Sequence, residues 1–431
     1  MNPGSSRPFI YAAILLLTIT LVSATAAFGA PQEKVLHTFQ GTPGGHSTSA
    51  LISDAAGNLY GTTSRTTTNC APICGAVFEL ERTQSGWNYH VLHIFRGGSD
   101  GAFPGDLNFD AAGDLYGSTS EGGSSGACSN GDSGCGTVFR LSRTTKGGWA
   151  KTVLYRFQGG TDGSAPVGKL VFDTGGNLYG VASNGGLSSC YPRSGGCGTV
   201  FEIDKSGKFS VLYTFQGGSD GAFPGGISLD SAGNLFGSTL GGGGSSKCYL
   251  GCGTTFALTQ GSGGWSETIL HSFTGGTDGA SPAAAPIFDA AGNVYGTTGA
   301  GGSSGCSGQG CGVIFELTDG SSGWTENLLY AFQDYNDGWD PFTGVVFDTS
   351  GNLYGVAQTD TSGLVYELTP GSNGWSKNVL YSFTGGPGGS NPYGVLLDMA
   401  GNVYGTTYDG GHQKGRICKN GGCGVVYEIT R

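Results

Sequence analysis

The chain has 431 residues, of which 86 are Gly and 15 are Pro, and only 12% are charged. Gly and Pro at this density exclude a helical bundle, the lack of a strict three-residue Gly period excludes a collagen, and 11% aromatic residues are too many for a disordered linker. A net charge of -11 without any Lys/Arg cluster argues against nucleic acid and against anionic membrane surfaces as partners, which leaves a turn-rich all-β protein.

Residues 1–30 carry one charged side chain, Arg7, then an apolar run from Phe9 to about Val22 and small residues from Ser23 to Ala30. That is the pattern of a secretory signal peptide. Cleavage after Ala26 fits an A-x-A exit, with Gly29 and Ala30 as alternatives. The competing reading is an uncleaved anchor, because Phe9 to Phe28 is 20 residues, just long enough to span a bilayer. The mature domain is then expected over 31–431, located in the cell envelope or outside the cell. It opens on VLHTF, Val35 to Phe39, a strand-like segment with no partner nearby in sequence.

Pentapeptides of the GNLYG type begin at Gly57, Gly113, Gly176, Gly233, Gly292, Gly351 and Gly401, at intervals of 50 to 63 residues. Periods of this length mark a repeat architecture. Each unit of about 57 residues reads as four short strands. The first ends at an Asp (Asp54, Asp110, Asp173, Asp230, Asp289, Asp348, Asp398), which can cap the amides of a following Gly-Asn or Gly-Asp turn. The second is the LYGTT-like run, the third is VFEL-like, and the fourth is VL[HY]xF, as in Val91–Phe95. Six of the fourth strands follow a third strand; the seventh is the orphan VLHTF at the front, and the chain ends just past a third strand. The N-terminal strand is therefore predicted to complete the last sheet. The expected fold is all-β: a seven-bladed β-propeller of four-stranded antiparallel blades, closed on itself so that no terminal edge is exposed. Tight turns fall on one face. The second-to-third loops and the crossings between blades fall on the other, where function is usually displayed.

Twelve Cys form six local pairs, each in a second-to-third loop: Cys70/Cys74, Cys128/Cys135, Cys190/Cys197, Cys248/Cys252, Cys306/Cys311 and Cys418/Cys423. An even count behind a signal sequence predicts disulfides. The spacings do not match zinc ligation and supporting His are lacking, so no metal and no cofactor is expected.

The crossings repeat GG[ST]DG, with Asp100, Asp162, Asp220, Asp278 and the variant Asp337. A carboxylate ring could bind cations or sugar hydroxyls, but an Asp before Gly is ordinary turn chemistry. Symmetry breaks at blade six. Its second-to-third loop is short, Gln358 to Gly363, and lacks Cys, while the crossing into it reads Asp334, Tyr335, Asn336, Asp337, Gly338, Trp339, Asp340. An aromatic face among carboxylates and amides suits a carbohydrate or peptide, so Asp334, Tyr335, Asn336, Asp337, Trp339 and Asp340 are the candidate ligand-binding residues. The bland alternative is a Trp packed over the truncated loop.

The other aromatic and titratable residues read as scaffold. Trp87, Trp149, Trp265, Trp324 and Trp375 sit four residues before a fourth strand. His37, His93 and His271 occupy the [HY] slot of VL[HY]xF, where other blades have Tyr. His46 and His412 lie in loops without a Ser-His-Asp spacing. Glu79, Glu202, Glu316, Glu367 and Glu428 of VFEL are expected to face outward or to pair between blades.

The DxxGNLYGTT … GGCGTVFEL … VLYxF unit resembles the GloVer tandem-repeat proteins, secreted bacterial repeat proteins with varied anchors. The resemblance spans the whole expected mature domain. It implies export and assigns no catalytic residue. The expected function is a secreted, non-enzymatic binding propeller with an extracellular glycan or protein as partner, probing no nucleic acid or membrane, and monomeric. The alternative is an extracellular polysaccharide hydrolase or lyase, with acids such as Asp334, Asp337, Asp340 or Asp409 converging at the channel mouth.

Overall fold

The structure, a computed structural model, describes residues 1, 31–41, 44–64, 74–123, 128, 134–190, 195–411, 418 and 421–431. Residues 2–30 of the candidate signal peptide, Cys70 and His412 lie outside the described residues.

Seven four-stranded antiparallel sheets stand in a ring, a seven-bladed β-propeller. Blade two shows the plan: an inner strand Ala102–Phe109, a second strand Leu115–Glu121, a third strand Thr137–Arg143 and an outer strand Trp149–Arg156. The inner strands line the axis and bond from blade to blade. Ala50 N–H donates to Asp106 at 2.9 Å, and the Asn108 amide donates to the Leu170 carbonyl at 2.9 Å.

The last blade is completed from both chain ends. Ser390–Leu397, Val403–Asp409 and Val425–Thr430 pair in order, and Gln32–Thr38 adds as the outer strand. The register sets Lys34 against Glu428 and Thr38 against Val425. VLHTF therefore docks beside VVYEI, as its lack of local partners predicts. Backbone donors at both chain ends are satisfied by each other instead of lying on a free edge.

The outer strands are longer than the VL[HY]xF motif. In blade one the strand runs Gly86–Ile94, because pairing with the third strand extends back to a tight turn, Thr83 opposite Gly86. Trp87, Trp149, Trp265, Trp324 and Trp375 thus lie within outer strands, not before them. Their rings cover the seam to the preceding blade: Trp87 meets Tyr404, and Trp265 meets Tyr179.

The final Phe of each VL[HY]xF motif joins one blade to the next. Phe39, Phe95, Phe157, Phe215, Phe273, Phe332 and Phe383 each set an edge against the aromatic ring of the following blade's third strand. Centroid distances run from 5.0 Å for Phe383–Tyr427 to 5.5 Å for Phe332–Tyr366. This is the edge-to-face geometry that ring quadrupoles favour. All fourteen rings are at most 1% exposed, so the aromatic pairs form the core of every joint.

The Gly of the Cys-Gly pair has a spatial reason. Gly312 has φ 96°, and a Cβ there would lie 2.2 Å from the Thr298 carbonyl and 2.8 Å from Pro341 of the next blade. Only a residue without a side chain lets the blades close to this distance.

Candidate functional site

At or shortly before the start of each inner strand stands one residue in left-handed conformation: His46, Phe103, Ala165, Phe223, Ser281, Asp340 and Asn391, with φ between 49° and 60°. Non-Gly residues adopt this region at a cost and need outside support. Here the support is a hydrogen bond across the seam. The N–H of each donates to a carbonyl of the preceding blade, which belongs to Cys in six cases (Cys423, Cys74, Cys135, Cys197, Cys252, Cys311) and to Ser362 in blade six. The disulfide loops thus anchor the mouth of the channel. Among the described residues five of the predicted pairs are seen bonded: Cys128–Cys135, Cys190–Cys197, Cys248–Cys252, Cys306–Cys311 and Cys418–Cys423.

The seven mouth residues are not evenly distributed by type. Phe103, Ala165 and Phe223 are consecutive around the ring, and so are Ser281, Asp340, Asn391 and His46. The polar half coincides with the short loop of blade six. A pocket of about 460 Å³ opens there, lined by Trp339, Phe342, Gln358, Asn391, Tyr393, Tyr408 and Asp409, with Thr48 from blade one.

Backbone pairing builds the outer wall of the pocket. Trp339 N–H donates to the Gln358 carbonyl at 2.9 Å and Gln358 N–H to the Trp339 carbonyl at 2.8 Å. The crossing is thereby tied to the truncated loop. The Trp339 ring meets Tyr335 edge-on at 5.9 Å, and its Nε1 is buried without a partner among the described residues. On the other side, Asp409 Oδ2 accepts the Asn391 amide at 2.9 Å. His46 Nδ1 lies 3.0 Å from the Tyr408 carbonyl and 3.4 Å from Asp409 Oδ1. His46 therefore fastens blade one to blade seven across the ring closure.

The six candidates from sequence occupy different places. Trp339 lines the pocket. Tyr335 packs against it, and its hydroxyl lies 3.0 Å from Ser307 Oγ of blade five. Asp334 is an exposed turn residue whose Oδ1 accepts the N–H groups of Asn336 and Asp337 at 2.8 Å. Asn336 is exposed in the same turn. Asp337 turns to the outer seam, where it accepts the Tyr330 hydroxyl at 2.8 Å, the Gln333 N–H at 2.9 Å and the Lys377 ammonium at 2.5 Å. Burial opposes its charge, but Lys377 and Tyr330 hold its carboxyl below the usual carboxylate range. Asp340 lies ahead of the inner strand Val345–Phe347, and burial pushes its pKa up to about 6.

Sequence reading did not single out Gln358, Asn391, Tyr393 and Tyr408 as site residues. A signal existed for Asn391: it is one of seven residues at equivalent places at or ahead of the start of the inner strands, six of which precede Pro while the seventh, His46, precedes Ser47. Asp106 and Lys169 also went unmarked. They stand four residues before Asp110 and Asp173, where the other blades have Ala50, Gly226, Ala285, Gly344 and Gly394.

The repeat-borne acids are structural. Asp100 accepts the Arg96 N–H at 2.9 Å and lies 3.2 Å from His93 Nε2, and Asp162 takes the Tyr155 hydroxyl at 3.0 Å. The [HY] slot thus serves the crossing Asp. Glu79 and Glu367, 8% and 6% exposed, face inward across the sheet, and each takes a Tyr hydroxyl at 2.6 Å (Tyr60 and Tyr354). Each also meets the next blade through Arg143 or Arg431. Where blade four replaces that Tyr by Phe236, the Glu position is Ala257.

Fold and site together define a tandem-repeat β-propeller with a pocket beside blade six at its loop-rich mouth. The Gloeobacter/Verrucomicrobia repeat matches residues 20–248 and 190–418, and the chain belongs to that family. No curated protein matches the chain. Among solved structures, the extracellular domain of a one-component system from B. thetaiotaomicron is 9% identical with a TM-score of 0.53, over 93% of this chain and 40% of that one. A protein from Lactobacillus plantarum is 13% identical with a TM-score of 0.50, over 81% of this chain and 88% of that one. A gluconolactonase from Xanthomonas campestris is 11% identical with a TM-score of 0.41, over 93% and 89%. At these identities the likeness concerns the fold alone.

Proposed function

We propose that this propeller is an exported, non-enzymatic binding protein that takes a carbohydrate in the pocket beside blade six. The observation that carries this reading is the pocket itself, whose lining brings an indole together with side-chain amides and a carboxylate: Trp339 and Gln358 on one wall, Asn391 and Asp409 on the other. An aromatic face accepts the apolar face of a sugar ring, side-chain amides donate to and accept from its hydroxyls, and a carboxylate accepts from them. A peptide strand would need a free backbone edge, and at the notch the Trp339 and Gln358 backbones bond to each other. Against catalysis, three of the four candidate acids are separately engaged: Asp334 caps its turn, Asp337 pairs with Lys377, and Asp409 holds Asn391. Five disulfides favour an oxidising compartment.

The test is a glycan array probed with wild type and Trp339→Ala, run beside a peptide library. Glycan binding that falls at least tenfold in Trp339→Ala supports the reading. Binding of peptides alone, or glycan binding unchanged in the variant, overturns it. Release of reducing sugar by the pure protein would replace it with the hydrolase alternative, and release of unsaturated sugar with the lyase.

A further inference from the structure

A second cavity of about 380 Å³ lies at the inner strands of blades one to three. Thr48 and Tyr393 line both it and the pocket beside blade six. The two adjoin at these residues, as neighbouring lobes at the channel mouth. The second lobe has an apolar wall from Phe103, Pro104 and Pro166, and it presents Asp106 and Glu121. Asp106 is held in place by the Ala50 N–H at 2.9 Å. Its carboxylate is set at a channel position where five blades have only Gly or Ala.

Resting on the carbohydrate reading above, we propose that the ligand is a neutral oligosaccharide of at least two rings that spans both lobes. One ring lies on Trp339. The next lies along the Phe103 and Pro104 wall and directs hydroxyls to Asp106. Size argues for this, since each lobe alone is at the scale of a small-ligand site. Charge argues for neutrality: the described lining holds Glu121, Asp409 and Asp106 and no Lys or Arg, although burial pushes the Asp106 carboxyl up against the pull of the Ala50 N–H and of Lys169 outside the lining. An acidic sugar would meet like charges there.

The experiment is calorimetric titration with neutral gluco-oligosaccharides of one to six units and with oligogalacturonates. Affinity is expected to rise about tenfold between one unit and two or three, about 1.4 kcal/mol, and to be lost for the galacturonates. Val167→Trp, which fills the second lobe, should remove the gain with length and leave monosaccharide affinity unchanged. Asp106→Asn preserves shape and should relax the discrimination against galacturonates, which keeps the idea testable if Val167→Trp does not fold. A flat dependence on length, or galacturonate binding equal to neutral binding, overturns the two-lobe assignment while the Trp339 pocket stands. Failure of all neutral oligomers to bind removes the two-lobe assignment, and the carbohydrate reading falls with it only if the glycan array is also empty.

Discussion

At the outer seam between blades three and four, the Tyr213 hydroxyl lies 3.0 Å from Glu267 Oε2 and also contacts Asp220. Burial and then the neighbouring Asp220 push the Glu267 carboxyl up to about 9. A folded pKa above the ordinary 4.5 means that its stabilising contribution is full below that value and is lost as pH rises toward 9. Melting temperature should therefore fall between pH 5 and pH 9, and Glu267→Gln should flatten the fall; calorimetric scans with identical pH slopes for both proteins would refute this. The Lys377–Asp337 pair works in the opposite sense. Lys377 is 6% exposed on its side chain and Asp337 is 21% exposed. Lys377→Met leaves a half-buried carboxylate unpaired and should cost about 2–4 kcal/mol. Denaturant unfolding measures it, and a loss under about 0.5 kcal/mol would show that the pair is only a surface contact.

Among elements, the third strands of blades six and seven differ from the rest. Their central rings are Tyr366 and Tyr427, where the other blades have Phe78, Phe139, Phe201, Phe256 and Phe315. Both hydroxyls are buried without a partner among the described residues. A buried unsatisfied hydroxyl costs about 1–3 kcal/mol, so Tyr366→Phe and Tyr427→Phe should each raise the melting temperature. A lower melting temperature in either would mean that the hydroxyl has an internal water as partner. The same joints need their other half: Phe215→Ala should cost about 3–5 kcal/mol in chemical unfolding, because a fully buried ring is lost from a joint that cannot collapse.

At the scale of the whole molecule, stability depends on closure. Gln32–Thr38 supplies the outer strand of blade seven, and Phe39 supplies the aromatic joint to blade one. A chain lacking residues 31–39 keeps twenty-seven of its strands, yet it exposes the edge of Val425–Thr430 and opens one joint. It should lose cooperative unfolding and self-associate. Size-exclusion chromatography and near-UV circular dichroism check this, and a monomer with wild-type cooperativity would refute it.

Much of this architecture is legible in sequence because a repeat writes its signal locally. The D-x-x-G-N turn, the VFEL strand and the Cys pairs all lie within one unit, and seven copies against six trailing fourth strands already imply the closing strand. The notch is legible too, as the one loop without Cys. The chemistry of the notch is not, because it is decided at seams. Whether Asp337 faces the pocket depends on Lys377, 40 residues later, and the orientation of His46 depends on Tyr408, 362 residues away. Sequence alone determined the ring and the place where its symmetry fails. Only the tertiary structure decided which side chains meet there, since neighbouring blades bring together residues a full repeat apart or from opposite ends of the chain.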